Sequence, residues 1–204
     1  MYIPKYFKNE NTDAVRAFIV ENGFAVLVNR VGGRFWATHI PLILDKNENG
    51  QDILFGHISK ANNQWKEFER NEEVLAIFSG PDAYVSSSWY DHENVPTWNY
   101  LAVHVYGKIQ IIEGEILKNR MRKLVDKYES NMQNPVSIDR MSKDYVEKEM
   151  RGIVGFEIEI TDIQAAMKLS QNRDKINYER VIKGLEKQGD INSLEIARIM
   201  KKLK

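Results

Sequence analysis

Apolar and polar positions alternate with a period of two most cleanly along one stretch of the chain, the one that follows an aromatic, proline-bearing loop. From Tyr100 onward, Leu101, Val103, Val105, Ile109 and Ile111 point one way, while Tyr100, His104, Tyr106, Lys108 and Gln110 point the other. This pattern predicts a strand with one core face and one face available for chemistry. The loop before it, 87–99, carries Trp89 and Trp98 among amides and hydroxyls. Such a loop offers stacking surface and fixed hydrogen bonds to a flat, polar aromatic ligand, although a tryptophan at a strand start also commonly just covers a core. Other β-rich runs are Phe24–Val31 and Arg34–Leu42, joined by Gly32-Gly33, whose tolerance of positive φ suits a two-residue hairpin turn. Strands are also expected at Ile53–Ile58, at Val74–Ser79 ending on Gly80-Pro81, and beginning at Tyr84–Ser86. A last one, Gly152–Thr161, would bury Val154, Phe156, Ile158 and Ile160 with Glu157 and Glu159 facing out.

Elsewhere the period lengthens. Asp13–Asn22 reads as a short helix stopped by Gly23, and Ile116, Leu117, Met121, Leu124, Val125, Tyr128 and Met132 recur at helical spacing. Ser142–Arg151, Ile163–Leu169, Ile176–Gln188 and Leu194–Leu203 are expected to be helical, with Asn192 and Glu195 at capping-box spacing. About six antiparallel strands, interrupted by a helical insertion at 115–151, argue for a mainly β, α+β fold built on a small barrel, since closure removes exposed edges. Residues 1–172 are expected to form the barrel domain and 173–204 a helical extension packed on the barrel or on a dimer interface.

Composition narrows the class. The 204 residues are 43% hydrophobic and 28% charged, fitting a globule with a substantial core. The absence of cysteine excludes disulfides, thiolate metal sites and cysteine nucleophiles. The apolar runs are only strand-length and the amino terminus lacks a long apolar stretch, so no membrane span and a cytoplasmic location are expected. Net charge is zero, yet residues 173–204 hold nine Lys or Arg against five Asp or Glu. That surplus is a weak pointer to nucleic acid.

Six blocks in order, ATHIPL at 37–42, GHISKANNQW at 56–65, FSGPDAYVSSSWY at 78–90, VPTWNYLAVHVYG at 95–107, GIVGFEIEI at 152–160 and KLSQNR at 168–173, resemble the PaiB family of FMN-binding negative transcriptional regulators. The resemblance implies an FMN-binding split β-barrel of antiparallel Greek-key type, related to the pyridoxamine-phosphate oxidase-like flavoproteins, with flavin at the interface of a homodimer. It also implies repression of degradative protease synthesis and of sporulation.

The shared blocks suit FMN chemically. A phosphate with about two negative charges needs cations or several donors, and Thr38, His39, His57 and Lys60 can supply them. By resemblance to split-barrel flavoproteins, Thr38, His39, Lys60, Ala61 and Asn62 hold the phosphate. For the isoalloxazine, Trp98 can stack, Asn99 and Gln64 can read its amide-like edges, and Trp65 is a second candidate wall. KLSQNR resembles the late basic motif by which oxidase relatives reach the partner's flavin, which makes Lys168, Ser170, Gln171 and Arg173 candidates for contacts across the dimer. Ser-Gln-Asn stands where those oxidases carry His-Asp, so their substrate specificity does not carry over. His39 and His57 lie in separate strands without carboxylates nearby, so no metal site is expected; a haem-binding variant through one histidine is conceivable.

Two functions follow from these residues. One is a flavin-binding dimeric regulator. The other is an FMN-dependent oxidoreductase taking hydride from NAD(P)H, with His104 or Tyr100 orienting an unknown small molecule; no catalytic residue is named. DNA is a further candidate partner, because the last two helices have a helix-turn-helix rhythm and Lys183, Lys187, Arg198, Lys201 and Lys202 could meet phosphates. Lysine-bearing helix pairs more often serve packing or dimerisation.

Overall fold

The computed structural model describes residues 1–70 and 73–203. Seven strands form one sheet: β1 (Phe24–Val31), β2 (Arg34–Pro41), β3 (Ile43–Lys46), β4 (Asp52–Ser59), β5 (Val74–Val85), β6 (Thr97–Ile112) and β7 (Ile153–Lys168). Their order across the sheet is β2-β1-β5-β6-β7-β4-β3. The pairs β1·β2, β1·β5, β3·β4 and β4·β7 are antiparallel. Helices α1 (Thr12–Glu21), α2 (Gly114–Glu129), α3 (Lys143–Met150), α4 (Lys175–Gln188) and α5 (Ile191–Lys202) complete the fold, with a 3-10 helix at Asn63–Arg70 and a shorter one at Ser87–Trp89. The chain gathers into two compact units, one of Met1–Phe18, Phe78–His104 and Gln164–Lys204, the other of Ile19–Ile77 and Val105–Ile163. No described helix is long and apolar enough to cross a membrane.

The strand and helix patterns expected from sequence largely hold, and the departures have physical causes. Gly32 and Gly33 take φ of 56° and 79°, giving the β1–β2 turn two consecutive positive φ values. In β6, odd positions from Asn99 to Ile109 are buried, after which the phase slips and Ile112 rather than Ile111 turns inward. Gly80-Pro81 does not end β5. The strand continues to Val85, and its buried positions change from even (Val74, Ala76, Phe78) to odd (Ala83, Val85), so the two residues mark a local irregularity in one strand. Ile43–Lys46 forms a short strand beyond Leu42 that the polar turn signal obscured.

Three further expectations are overturned. Ile163–Leu169 is not a helix: β7 runs on to Lys168, with the amino-terminal segment bridged to it at Lys8 and Ala166 and the Asn9 N–H donating to the Ala165 carbonyl at 3.0 Å. Ladder bonding outweighs the helix propensity of an Ala-Ala-Met-Lys-Leu run. Glu157 does not face solvent. It is buried and accepts from the Arg120 Nε at 2.5 Å, while Arg120 also holds Asp45 at 2.5 Å, so a carboxylate on β7 is neutralised by a guanidinium from α2. The cap of α5 is Asp190, accepting from the Ser193 N–H at 3.0 Å, rather than Asn192. Asp174 caps α4 in the same way.

The second unit buries Leu27, Leu42, Leu54, Phe55, Phe68, Phe156 and Ile158 at 2% exposure or less. Its β1–β2 hairpin keeps one face uncovered. The register puts Phe24 opposite Pro41, Val26 opposite His39, Val28 opposite Ala37 and Arg30 opposite Phe35, with Ile77 and Leu75 next to Val26 and Val28 on β5. On this face Phe24 is 67% and Phe35 77% exposed.

Candidate functional site

The sequence-predicted residues fall into two groups, one in each unit. In the second unit, Gln64 is the centre. It is fully buried at the start of the 3-10 helix, where its Nε2 donates to the Leu27 carbonyl at 3.1 Å and to the Trp36 carbonyl at 3.5 Å. Its Oε1 accepts from the Thr38 hydroxyl, and its N–H donates to Asn62 Oδ1 at 3.1 Å. Asn62 Nδ2 in turn donates to Thr38 Oγ1 at 2.9 Å. Thr38, Asn62 and Gln64 therefore form one closed hydrogen-bonded ring joining β2 to the segment after β4.

Beside that ring, the backbone N–H groups of Lys60, Ala61 and Asn62 are already bonded, to the Gly152 carbonyl, Ser59 Oγ and the Ser59 carbonyl. The Lys60 side chain is exposed and its ammonium has no ion pair among the described residues. The free cation, not a nest of amides, is what this turn presents to an anion. Trp65 is half-buried, its Nε1 donating to the Lys60 carbonyl at 2.9 Å. His39 stands apart from the ring. Adjacent strand residues point to opposite faces, so it lies on the uncovered face, its ring centre 6.3 Å from that of Phe24. His57 is half-buried on β4, its Nδ1 has no hydrogen-bond partner, and burial holds its pKa below the ordinary histidine value.

In the first unit, two motifs meet. VPTWNY opens β6 and KLSQNR closes β7, and they are tied by Lys168 Nζ donating to Thr97 Oγ1 and by Ser170 Oγ donating to Asn99 Oδ1 at 3.0 Å. Asn99 is fully buried, and its Nδ2 reaches the Met200 sulfur of α5 at 3.6 Å. Ser170 is the one described non-glycine residue with positive φ, at 58°. Gln171 braces that turn, accepting from the Leu169 N–H at 2.7 Å and donating to the Met167 carbonyl at 2.5 Å. Arg173 lies with its guanidinium 4.9 Å from the centre of the Tyr90 ring and reaches Asn94 Oδ1 at 3.5 Å. Burial, and then the charge of Arg173, lower the Lys168 pKa. Trp98 is 52% exposed and meets Tyr84 edge-on at 5.8 Å between ring centres.

A family model described as "Putative FMN-binding domain" matches residues 1–162. The chain belongs to that family. It is 46% identical over 200 residues to "Protease synthase and sporulation protein PAI 2" of Bacillus subtilis, covering 98% of this chain and 96% of that protein. Among solved structures it resembles the FAD- and haem-binding protein of Mycobacterium smegmatis, at 13% identity and a TM-score of 0.61 over 79% of this chain and 73% of that one. The flavocytochrome of Azotobacter vinelandii matches at 17% identity and a TM-score of 0.59, covering 87% of this chain and 78% of its own. The fold is the split barrel expected from sequence, and FMN is the cofactor that membership in this FMN-binding family supports.

The residues fit that cofactor on their own chemistry. Within the second unit, the exposed Lys60 ammonium, without an ion pair among the described residues, is the kind of group a phosphate requires, and within the first unit the half-exposed Trp98 ring is the kind of surface an isoalloxazine requires. No described group of three or more His, Cys, Asp or Glu residues could hold a metal ion. Sequence reasoning missed Tyr90, Asp91, Asn94 and Asn177, which hold the aromatic loop. The signal was the Asp174-to-Asn177 capping spacing, which marks a helix start close to that loop.

Proposed function

We propose that this protein is an FMN-binding, PaiB-like negative regulator that acts as a homodimer, lowering degradative protease synthesis and sporulation gene expression in response to flavin occupancy. The observation that carries this reading is the 46% identity over 98% of the chain to the Bacillus subtilis protease synthase and sporulation protein, which extends through α4 and α5. Bound FMN would supply a redox-active ring. Each unit contributes a candidate contact argued by itself: in the second, Lys60, on the turn that the Thr38–Asn62–Gln64 ring fixes, for a phosphate, and in the first, Trp98 for an isoalloxazine ring.

The dimer rests on the uncovered sheet face. Phe24, Val26, Val28, Phe35, Ala37, Leu75 and Ile77 make an apolar surface larger than scattered surface side chains account for, and a second copy is the occupant that the family resemblance supplies. Direct reading of DNA by α4 and α5 finds less support. Arg198 is paired with Glu195 and Lys201 with Glu186, which removes two of the five cations that could meet phosphates. Regulation through the flavin-bound dimer is therefore favoured over a helix placed in a groove.

Purification with flavin absorbance, FMN titration and sedimentation tests the reading. Stoichiometric FMN on a dimer is the expected result, and a colourless protein that ignores added FMN overturns it. Promoter gel shifts at low salt and an NAD(P)H oxidation assay then separate direct DNA binding and oxidoreductase activity from flavin sensing; binding to DNA by the helix pair would fall steeply with salt.

A further inference from the structure

From Trp89 to Asn99, six residues of the aromatic loop and strand start are held by the segment 168–184. Asn99 is tied to Ser170, Thr97 to Lys168, and Asn94 and Tyr90 to Arg173. Asp91 is tied twice to Asn177 of α4, its N–H donating to Asn177 Oδ1 at 3.2 Å and its Oδ1 accepting from Asn177 Nδ2 at 3.0 Å. The last anchor is steric. A Cβ on Gly184 would come within 2.3 Å of Trp89 Cδ2 and within 2.5 and 2.6 Å of Cε3 and Cε2. These are carbons of the rigid indole, which cannot bend aside as the end of a flexible side chain can. Gly184 lies in the interior of α4, where glycine is unfavourable relative to alanine. The position thus gives up helix stability and receives a ring.

We propose that Gly184 is a positioning residue for the flavin site: the slot it leaves on α4 seats Trp89, and with Asn177 it fixes the 86–96 loop and hence the approach to Trp98. This rests on the FMN reading above. The slot lies outside the stretch matched by the family model, which ends at residue 162. The C-terminal helices are therefore part of the structure that shapes the binding loop, and ligand at the loop and order in the helices are linked.

The test compares the full-length wild type with Gly184→Ala, Trp89→Ala, the double variant and Asn177→Ala, reading FMN affinity and the rate of protease cleavage between residues 86 and 96. G184A is expected to keep its circular dichroism, to weaken FMN at least five-fold and to expose the loop to cleavage; in the W89A background the same substitution should have almost no further effect. That loss of effect is the signature of the slot, because a general change in helix stability would persist without the indole. N177A should weaken FMN and expose the loop in the same direction. Wild-type affinity and cleavage in G184A, or an undiminished effect in the W89A background, overturns the proposal. Should G184A not fold, N177A decides, and wild-type behaviour there overturns it. A wild type that binds no FMN sinks the functional reading instead, and the cleavage rates alone then show whether Gly184 fixes the loop.

Discussion

The Thr38–Gln64 cluster and the Thr97–Arg173 cluster contain the same kinds of side chain and use them differently. In the first, a buried ring of hydrogen bonds closes on itself and leaves the Lys60 ammonium outside it, unpaired. In the second, both cations are engaged with their own unit, Lys168 on Thr97 and Arg173 on Tyr90 and Asn94. A cation with no partner gains the most when an anion arrives, because no interaction has to be given up. Lys60 is thus a motif cation left available, whereas Lys168 and Arg173 are motif cations already spent on the structure of their own unit.

That contrast is broken most directly at Lys60. Lys60→Ala should weaken FMN about ten- to a hundred-fold, the worth of a charge-assisted hydrogen bond, while the melting temperature stays at the wild-type value; titration and thermal unfolding measure both. Gln64→Ala should do the reverse. It strands the Leu27 and Trp36 carbonyls and should cost about 1–3 kcal/mol of stability in denaturant unfolding. A Gln64→Ala protein that unfolds normally but binds no FMN would make Gln64 a ligand contact after all.

In the second cluster the test is a pair of substitutions at one backbone position. Ser170→Ala keeps the unfavourable positive φ and loses the bond to Asn99, so it should destabilise by about 1 kcal/mol. Ser170→Gly loses the same bond but relieves the φ, and should lie within about 0.5 kcal/mol of wild type. The smallest expected effect is on pH dependence. Burial lowers the pKa of His57, and burial followed by the N-terminal charge lowers that of His104. Their folded-state pKa values lie below the unfolded value near 6.5, so their contribution is complete above about pH 6.5 and is lost as pH falls toward the folded values. Stability should decline on mild acidification, and His57→Gln should flatten that decline.

Much of this was legible in the chain. β-rich runs located β1, β2 and β4, period-two alternation located β6, and helical spacing bounded by Gly23 and Gly189 located α1 and α4 to within a few residues. What failed were positions whose state depends on distant partners. Ile163–Leu169 has helical propensity, yet as the end of β7, bridged by Lys8 and bonded by the Asn9 N–H, it is extended up to Lys168. Glu157 is polar by type but buried because Arg120 arrives from α2. Within the candidate site, the blocks holding Thr38, Lys60, Asn62, Trp98, Asn99 and Ser170 could be named from the sequence. Which of these residues bond to one another could not be, since Gln64 as a hub and Gly184 as a slot are properties of packing.

The uncovered face of the β1–β2 hairpin has a consequence for the cell as well as for the tube. If two copies must meet for that face to be covered and for flavin to be enclosed, occupancy obeys mass action in protein as well as in FMN. Dilution alone would then strip the cofactor, and a modest change in expression level would act as a signal in its own right.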